Sequence, residues 1–244
     1  MTGKRRASRR RRRTPLERAA RTLAVGAAVA VLVTGLVVAA VLLREASPRP
    51  AGDTGALVQP VAPPPDQPPV RFSVPAPEAG WQVSTPETVT GFATSDGGSV
   101  TVTRPAYYLR GWCADEPHWS SRGFVGVAEP VTGEDARTVN QALAQRWTDA
   151  LAWDGEADGQ LPASTPAQRR IELADGSRAW LSHSEVDLST ASIECAPPRA
   201  ALTLVSFRVD QQVATVVAAV DLDVEHALTE DLVERILASA ERSD

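Results

Sequence analysis

Residues 71–244 predict an α+β domain, a largely antiparallel sheet packed with two main helices. Three observations carry that expectation. Short alternating apolar runs, punctuated by turn residues, mark strands. Two stretches with apolar residues at three- and four-residue spacing mark helices. All twelve Trp, Tyr and Phe residues lie between Phe72 and Phe207, so an aromatic core has to form there. Ahead of the domain, the chain predicts a basic cytoplasmic tail (1–21), one transmembrane helix (22–43) and a Pro-rich disordered linker (44–70).

The net charge of −5 hides a segregation. Residues 1–44 carry eleven basic groups and one acid, Glu17, whereas residues 45–244 carry 14 arginines and 29 acids, a net of −15. A chain so divided faces two environments. Residues 22–43, TLAVGAAVAVLVTGLVVAAVLL, contain no charge. As a helix they reach about 33 Å, enough for a hydrocarbon core of roughly 30 Å. The run RRASRRRRRTPLERAAR stands immediately before them. The positive-inside rule keeps that end in the cytoplasm and places the C-terminal domain outside. A cleaved secretory signal has a shorter apolar core and an A-x-A-like site, which LREASP matches poorly; a twin-arginine signal also fits the long apolar run poorly. The lipid bilayer is thus the first expected partner, through residues 22–43. The arginines suit membrane topology and anionic lipid better than nucleic acid, which the net −15 of the remainder also disfavours.

Residues 45–70, EASPRPAGDTGALVQPVAPPPDQPPV, hold eight prolines and no aromatic residue. Such a composition predicts an extended spacer, about 80 Å at full reach, that lifts a domain off the membrane.

Within the domain, GWQVS (80–84) and ETVTGFATS (87–95) predict short strands, and DGG (96–98) a turn. SVTVTR (99–104) alternates as a third strand, and AYYLRGWC (106–113) predicts a fourth. VTGEDARTVNQALAQRWTDALAW (131–153) predicts a helix capped by Thr132, with Ala136, Val139, Leu143, Trp147 and Leu151 on its inner face. Residues 153–168 predict a loop. RRIELADGSRAWLSHSEVDL (169–188) predicts a hairpin with a type I′ turn at Asp175-Gly176. RAALTLVSFRV (199–209) and QVATVVAAVDL (212–222) are apolar on both faces and predict central strands covered on both sides. Thr229 is placed to cap a last helix, LTEDLVERILASA, whose Leu232, Val233, Ile236 and Leu237 face the sheet.

The functional candidates begin with GWCADEPHWSSR (111–122). Cys113 and Cys195 are the only cysteines, and both fall in the part expected outside the cell. An even count in an oxidising compartment, with no CxxC spacing, predicts one disulfide. With that thiol engaged, Asp115, Glu116 and His118 lose their strongest support as a catalytic or metal-binding group. Their spacing is not that of a zinc site, and His183 and His226 stand alone. The stretch is therefore expected to be a disulfide-anchored loop, with Trp112, Asp115, Glu116, His118 and Trp119 as a candidate recognition surface. Ser182-His183-Ser184 predicts no catalytic pair, because neighbours on a strand point to opposite faces. Asp221, Asp223 and Glu225 line one face if the chain is extended. The calcium-loop pattern fails, with His226 at its sixth position and Leu232 at its twelfth. No P-loop, dinucleotide fingerprint or nucleophile elbow is present, so no cofactor, metal or catalytic residue is assigned.

The arginine-rich start, single span, Pro-rich spacer, opening GWQV, YYLRGWC, CAPPRAALTLV and ending LTEDLVERILAS resemble a group of actinobacterial membrane-anchored proteins with an exported domain of unknown function. The strand–helix order is also similar to the PsbP-like fold of some exported lipoproteins. This chain departs from those in lacking a lipobox, since no cysteine follows the apolar segment. Neither resemblance implies catalytic residues. The sequence therefore predicts a non-enzymatic, single-pass membrane protein whose extracytoplasmic domain binds a cell-envelope protein or small ligand. The alternative is an envelope enzyme with dispersed active-site residues, Asp115, Glu116 and His118 being the first to test.

Overall fold

The computed structural model describes residues 56–61, 70–114, 120–193 and 195–242. The predicted tail and membrane span lie outside these residues, and among the described residues no helix is long and apolar enough to cross a membrane. In chain order the strands are β1 (Leu57–Val61), β2 (Val70–Pro75), β3 (Trp81–Val83), β4 (Val89–Ala93), β5 (Ser99–Tyr108), β6 (Gly123–Ala128) and β7 (Val131–Thr132). Helix α1 (Ala136–Leu151) precedes β8 (Trp153–Asp154), β9 (Gly159–Gln160), β10 (Ala167–Glu172), β11 (Arg178–Asp187), β12 (Arg199–Val209) and β13 (Gln212–Leu222). Helix α2 (Glu230–Ala238) and β14 (Glu241–Arg242) complete the set.

The main sheet runs β10-β11-β12-β13-β6-β5-β3, with β4 also beside β5 and β7 beside β13; every pairing is antiparallel. Strands β12 and β13 have the predicted bounds and are buried almost throughout. Alternate side chains serve two cores. Ala201, Val205 and Phe207 of β12 join Leu232, Val233, Ile236 and Leu237 of α2 in one cluster, which also takes in Val70, Phe72 and Val74 of β2. Leu202 and Leu204 join Trp147 and Ala144 of α1 in the other. The sheet is thus covered on one face by α1 and on the other by α2 with the small sheet β1-β2-β14.

Several expectations need correction. The predicted third and fourth strands are one strand, β5. Pro105 has no N–H to give the ladder, and the pairing with β6 shifts register between Thr103 and Ala106, where Arg104 takes a φ of 44°. A bulge thus accommodates the proline within the strand. Helix α1 starts later than predicted, because Val131–Thr132 pairs with Gln212–Val213 of β13. Its cap is Asp135, whose carboxylate accepts from the N–H groups of Arg137 and Thr138. The Asp175-Gly176 turn is not type I′: of the two residues only Gly176 has a positive φ, 81°. The N–H of Gly176 donates to the Leu173 carbonyl and that of Leu173 to the Ser177 carbonyl, so the loop is a three-residue one with glycine in the left-handed position. Strand β1 falls within the stretch expected to be spacer, where Val61 is buried against β2 and joins the α2-side core. Central strand β6, GFVGVA, is not among the predicted strands. Its glycines break the apolar alternation but admit close neighbours, since a Cβ on Gly126 would lie 2.6 Å from Val102 Cγ2.

Candidate functional site

Helix α1 meets the sheet through polar groups as well as apolar ones. Asn140 Nδ2 donates to the Trp180 carbonyl (3.0 Å) and Ser206 Oγ (3.1 Å), while its Oδ1 accepts from Ser182 Oγ (2.5 Å) and Gln168 Nε2 (2.9 Å). Two turns on, Thr148 Oγ1 lies 2.6 Å from Ser184 Oγ and donates to the Ala144 carbonyl. Asn140, Ser182, Ser184, Thr148, Ser206 and Thr215 are all buried. These bonds set the helix's rotation on the sheet. They explain why its inner face centres on Asn140, Ala144 and Thr148, with Leu143 and Leu151 only half-buried at its margin.

Beyond the C-terminal end of α1 the described residues leave a space between them. A cavity of about 500 Å³ lies between that end, strands β4, β5 and β6, and the two cysteine-bearing loops. Its volume is within the range of roughly 300–1,000 Å³ usual for small-molecule sites. Phe92, Tyr107, Trp112, Phe124 and Trp153 line it, together with Leu151, Leu188 and Ile193. Phe92 and Phe124 also meet Trp147 of α1, at ring separations of 6.0 and 6.4 Å.

Cys113 and Cys195 form the predicted disulfide, with Cα atoms 6.3 Å apart, and both residues line the cavity. The bond links positions 82 apart, which in the chain-entropy picture contributes about 4.5 kcal/mol. The loop carrying Cys113 leaves β5 through Leu109 and Gly111, both at positive φ. It is drawn back by a bond from the Gly111 N–H to the Ser120 carbonyl (2.8 Å) and one from the Cys113 N–H to Ser120 Oγ (3.2 Å). The loop carrying Cys195 is held by buried Asp154, which accepts from the Ser192 N–H (2.8 Å). That bond and those from Ala157 and Glu156 keep the Asp154 carboxyl below its usual range.

Arg122 and Asp221 form the charged element of the site. Arg122 Nη1 donates to Asp221 Oδ2 at 3.2 Å, both side chains being 14% exposed. The guanidinium lies 3.4 Å from the centre of the Trp112 ring, a cation–π contact. Burial pushes the Asp221 carboxyl up to about 6, against the opposing effects of the Arg122 hydrogen bond and charge.

Of the residues singled out in sequence, Trp112, Cys113 and Cys195 meet at this cavity. Asp115, Glu116, His118 and Trp119 lie outside the described residues. Ser182 and Ser184 point into the α1 layer. His183 points the other way, its Nδ1 3.0 Å from Thr203 Oγ1 and its Nε2 3.7 Å from Glu185. The acidic run does not line one face. Asp221 faces the cavity, Asp223 takes a φ of 58° and pairs with Arg199 at 2.6 Å, and Glu225 is exposed beside His226. Among the described residues no group of three metal-ligating side chains converges. Sequence reasoning missed Arg122 and the cavity role of Asp221, which are 99 positions apart. The aromatic residues crowding around the cysteines were the available signal.

The fold and site define a class: a disulfide-closed α+β domain, helices on both faces of an antiparallel sheet, with an aromatic-walled cavity at one end of a helix. Residues 58–243 match the family described as Domain of unknown function (DUF8017), and the chain belongs to that family. The matched span starts within β1 and takes in every later element through β14. No curated protein matches the chain. Among solved structures it is similar to the solution structure of cyanobacterial PsbP (CyanoP) from Synechocystis sp. PCC 6803. Identity is 12%, coverage is 79% of this chain and 96% of that one, and the TM-score is 0.46.

Proposed function

We propose that this protein is a membrane-anchored binding module whose extracytoplasmic domain captures a small ligand in the cavity beside the disulfide. The observation that carries this reading is the cavity of about 500 Å³ with five aromatic residues in its wall. Anchoring rests on the uncharged run at 22–43 and its basic flank.

A photo-crosslinking side chain at Ile193, which is 56% exposed at the cavity, tests the ligand reading in cells carrying the full chain. It is expected to capture a small molecule that the same group at Asp96 does not. Equal labelling at both positions, or turnover of envelope substrates by the purified protein, would overturn the proposal. A C-terminal tag is expected to be removed by protease added to intact cells. Its full protection would refute the outward orientation.

A further inference from the structure

We infer that the cavity takes a small amphiphilic amine, its protonated nitrogen donating to Asp221 and its apolar body lying among the aromatic rings. This rests on the cavity being a ligand site, as proposed above, and names the chemistry of the ligand.

The polarity of the lining is one-sided. Asp221 is the one charged side chain among the described lining residues. Its Oδ2 accepts from Arg122, and its Oδ1 has no hydrogen-bond partner among the described residues. Arg122 itself does not line the cavity, because its guanidinium is turned onto the Trp112 ring and engaged by Asp221. Among the described residues the lining therefore presents an acceptor, and the neighbouring cation, Arg122, is already engaged by Asp221 and the Trp112 ring.

Helix α1 adds to the same sign. Ala150 and Leu151 of its last turn line the cavity, and that turn carries no basic residue. The negative end of the helix dipole thus faces the cavity uncompensated by a side chain of its own last turn. The raised titration of Asp221 agrees with this picture, since burial outweighs what Arg122 returns and a second cation would favour the charged carboxylate. A short amine loses less hydration than a multiply charged one and gains from nearby ring faces. Thr90, Ser120 and Ser121 supply hydroxyl groups but no charge.

The test is isothermal titration of the full chain in zwitterionic lipid nanodiscs, with empty nanodiscs as the blank. The probes are 4-phenylbutylamine, 4-phenylbutanoate and 4-phenylbutanol, which share a body and differ in the head group. The amine is expected to bind roughly ten-fold or more tightly than the carboxylate. Asp221→Asn is expected to abolish that preference while still binding the alcohol, which reports an intact cavity. Equal or tighter binding of the carboxylate would overturn the assignment, as would an amine preference that survives Asp221→Asn. If the alcohol binds and the amine is no better, the head-group assignment fails and the cavity remains a ligand site. If none of the three binds, both readings fall.

Discussion

The two faces of the main sheet are covered by helices of different chemistry. Helix α2 lays Leu232, Val233, Ile236 and Leu237 on Val205, Phe207, Val216 and Ala218, an apolar contact closed further by β2. Helix α1 lays Asn140 and Thr148 on Ser182, Ser184 and Ser206, and its last turn ends beside an open cavity. Apolar burial is strong and turns the apolar stripe inward, but it sets the helix's rotation only to within the width of that stripe. A buried amide whose nitrogen and oxygen are both engaged across the interface restricts that rotation further. The difference teaches how one sheet supports a tight core on one side and a recess of defined shape on the other.

Changes that break this contrast rank by the amount of structure they release. Replacing Cys113 and Cys195 together by Ser should cost about 4–5 kcal/mol by releasing a linkage 82 positions long. Urea unfolding reads this, and amide exchange should rise in residues 188–198 while α2 stays protected. Ile236→Ala on the apolar face should cost about 2–5 kcal/mol, as expected for a fully buried branched side chain. Its urea midpoint should fall with no change in ligand binding at the cavity.

Asp221 gives a smaller effect with a definite sign. Its folded-state carboxyl is raised to about 6, above the unfolded value of about 3.9, so the folded protein binds the extra proton between those limits. Its contribution to stability is full below pH 4 and lost as pH rises through 6, an effect on the order of 2–3 kcal/mol. The stability difference between the wild type and Asp221→Asn should therefore shift against the wild type across that window. A difference that stays flat from pH 4 to 7 would contradict the buried environment of Asp221. Asn140→Ala should cost about 1–2 kcal/mol, because it takes from buried Ser182 its acceptor and from Gln168 one of its two. A loss of cavity binding alongside that modest cost would show that the polar contact positions the end of α1. Unchanged binding would limit the network to stability.

Much of this was legible in sequence where the signal is local. Strands β12 and β13 announce themselves by two eleven-residue apolar runs separated by a turn. The Thr229 cap and the inner face of α2 follow from spacing within three turns. The cysteine pairing followed from there being only two. Strand β6 was missed because its glycines interrupt the alternation that marks a strand. Of the predicted inner face of α1, Val139 and Trp147 are buried while Leu143 and Leu151 lie at the margin, because Asn140 and Thr148 turn inward to meet Ser182, Ser206 and Ser184. The cavity was not legible, since its wall draws on residues from Thr90 to Asp221.

By itself the sequence determined the α+β class, the two central strands, the last helix, the disulfide partners and the charge division between residues 1–44 and the rest. Each depends on periodicity, capping or counting, which act over a few residues or on the whole composition. Only the tertiary structure decided that Asn140 and Thr148 of α1 turn inward, that Pro105 sits in a continuous strand, and that Arg122, Asp221 and Trp112 form one unit at the cavity. Those outcomes depend on hydrogen bonds and burial between groups tens of residues apart, whose partners are set only when the sheet brings them together.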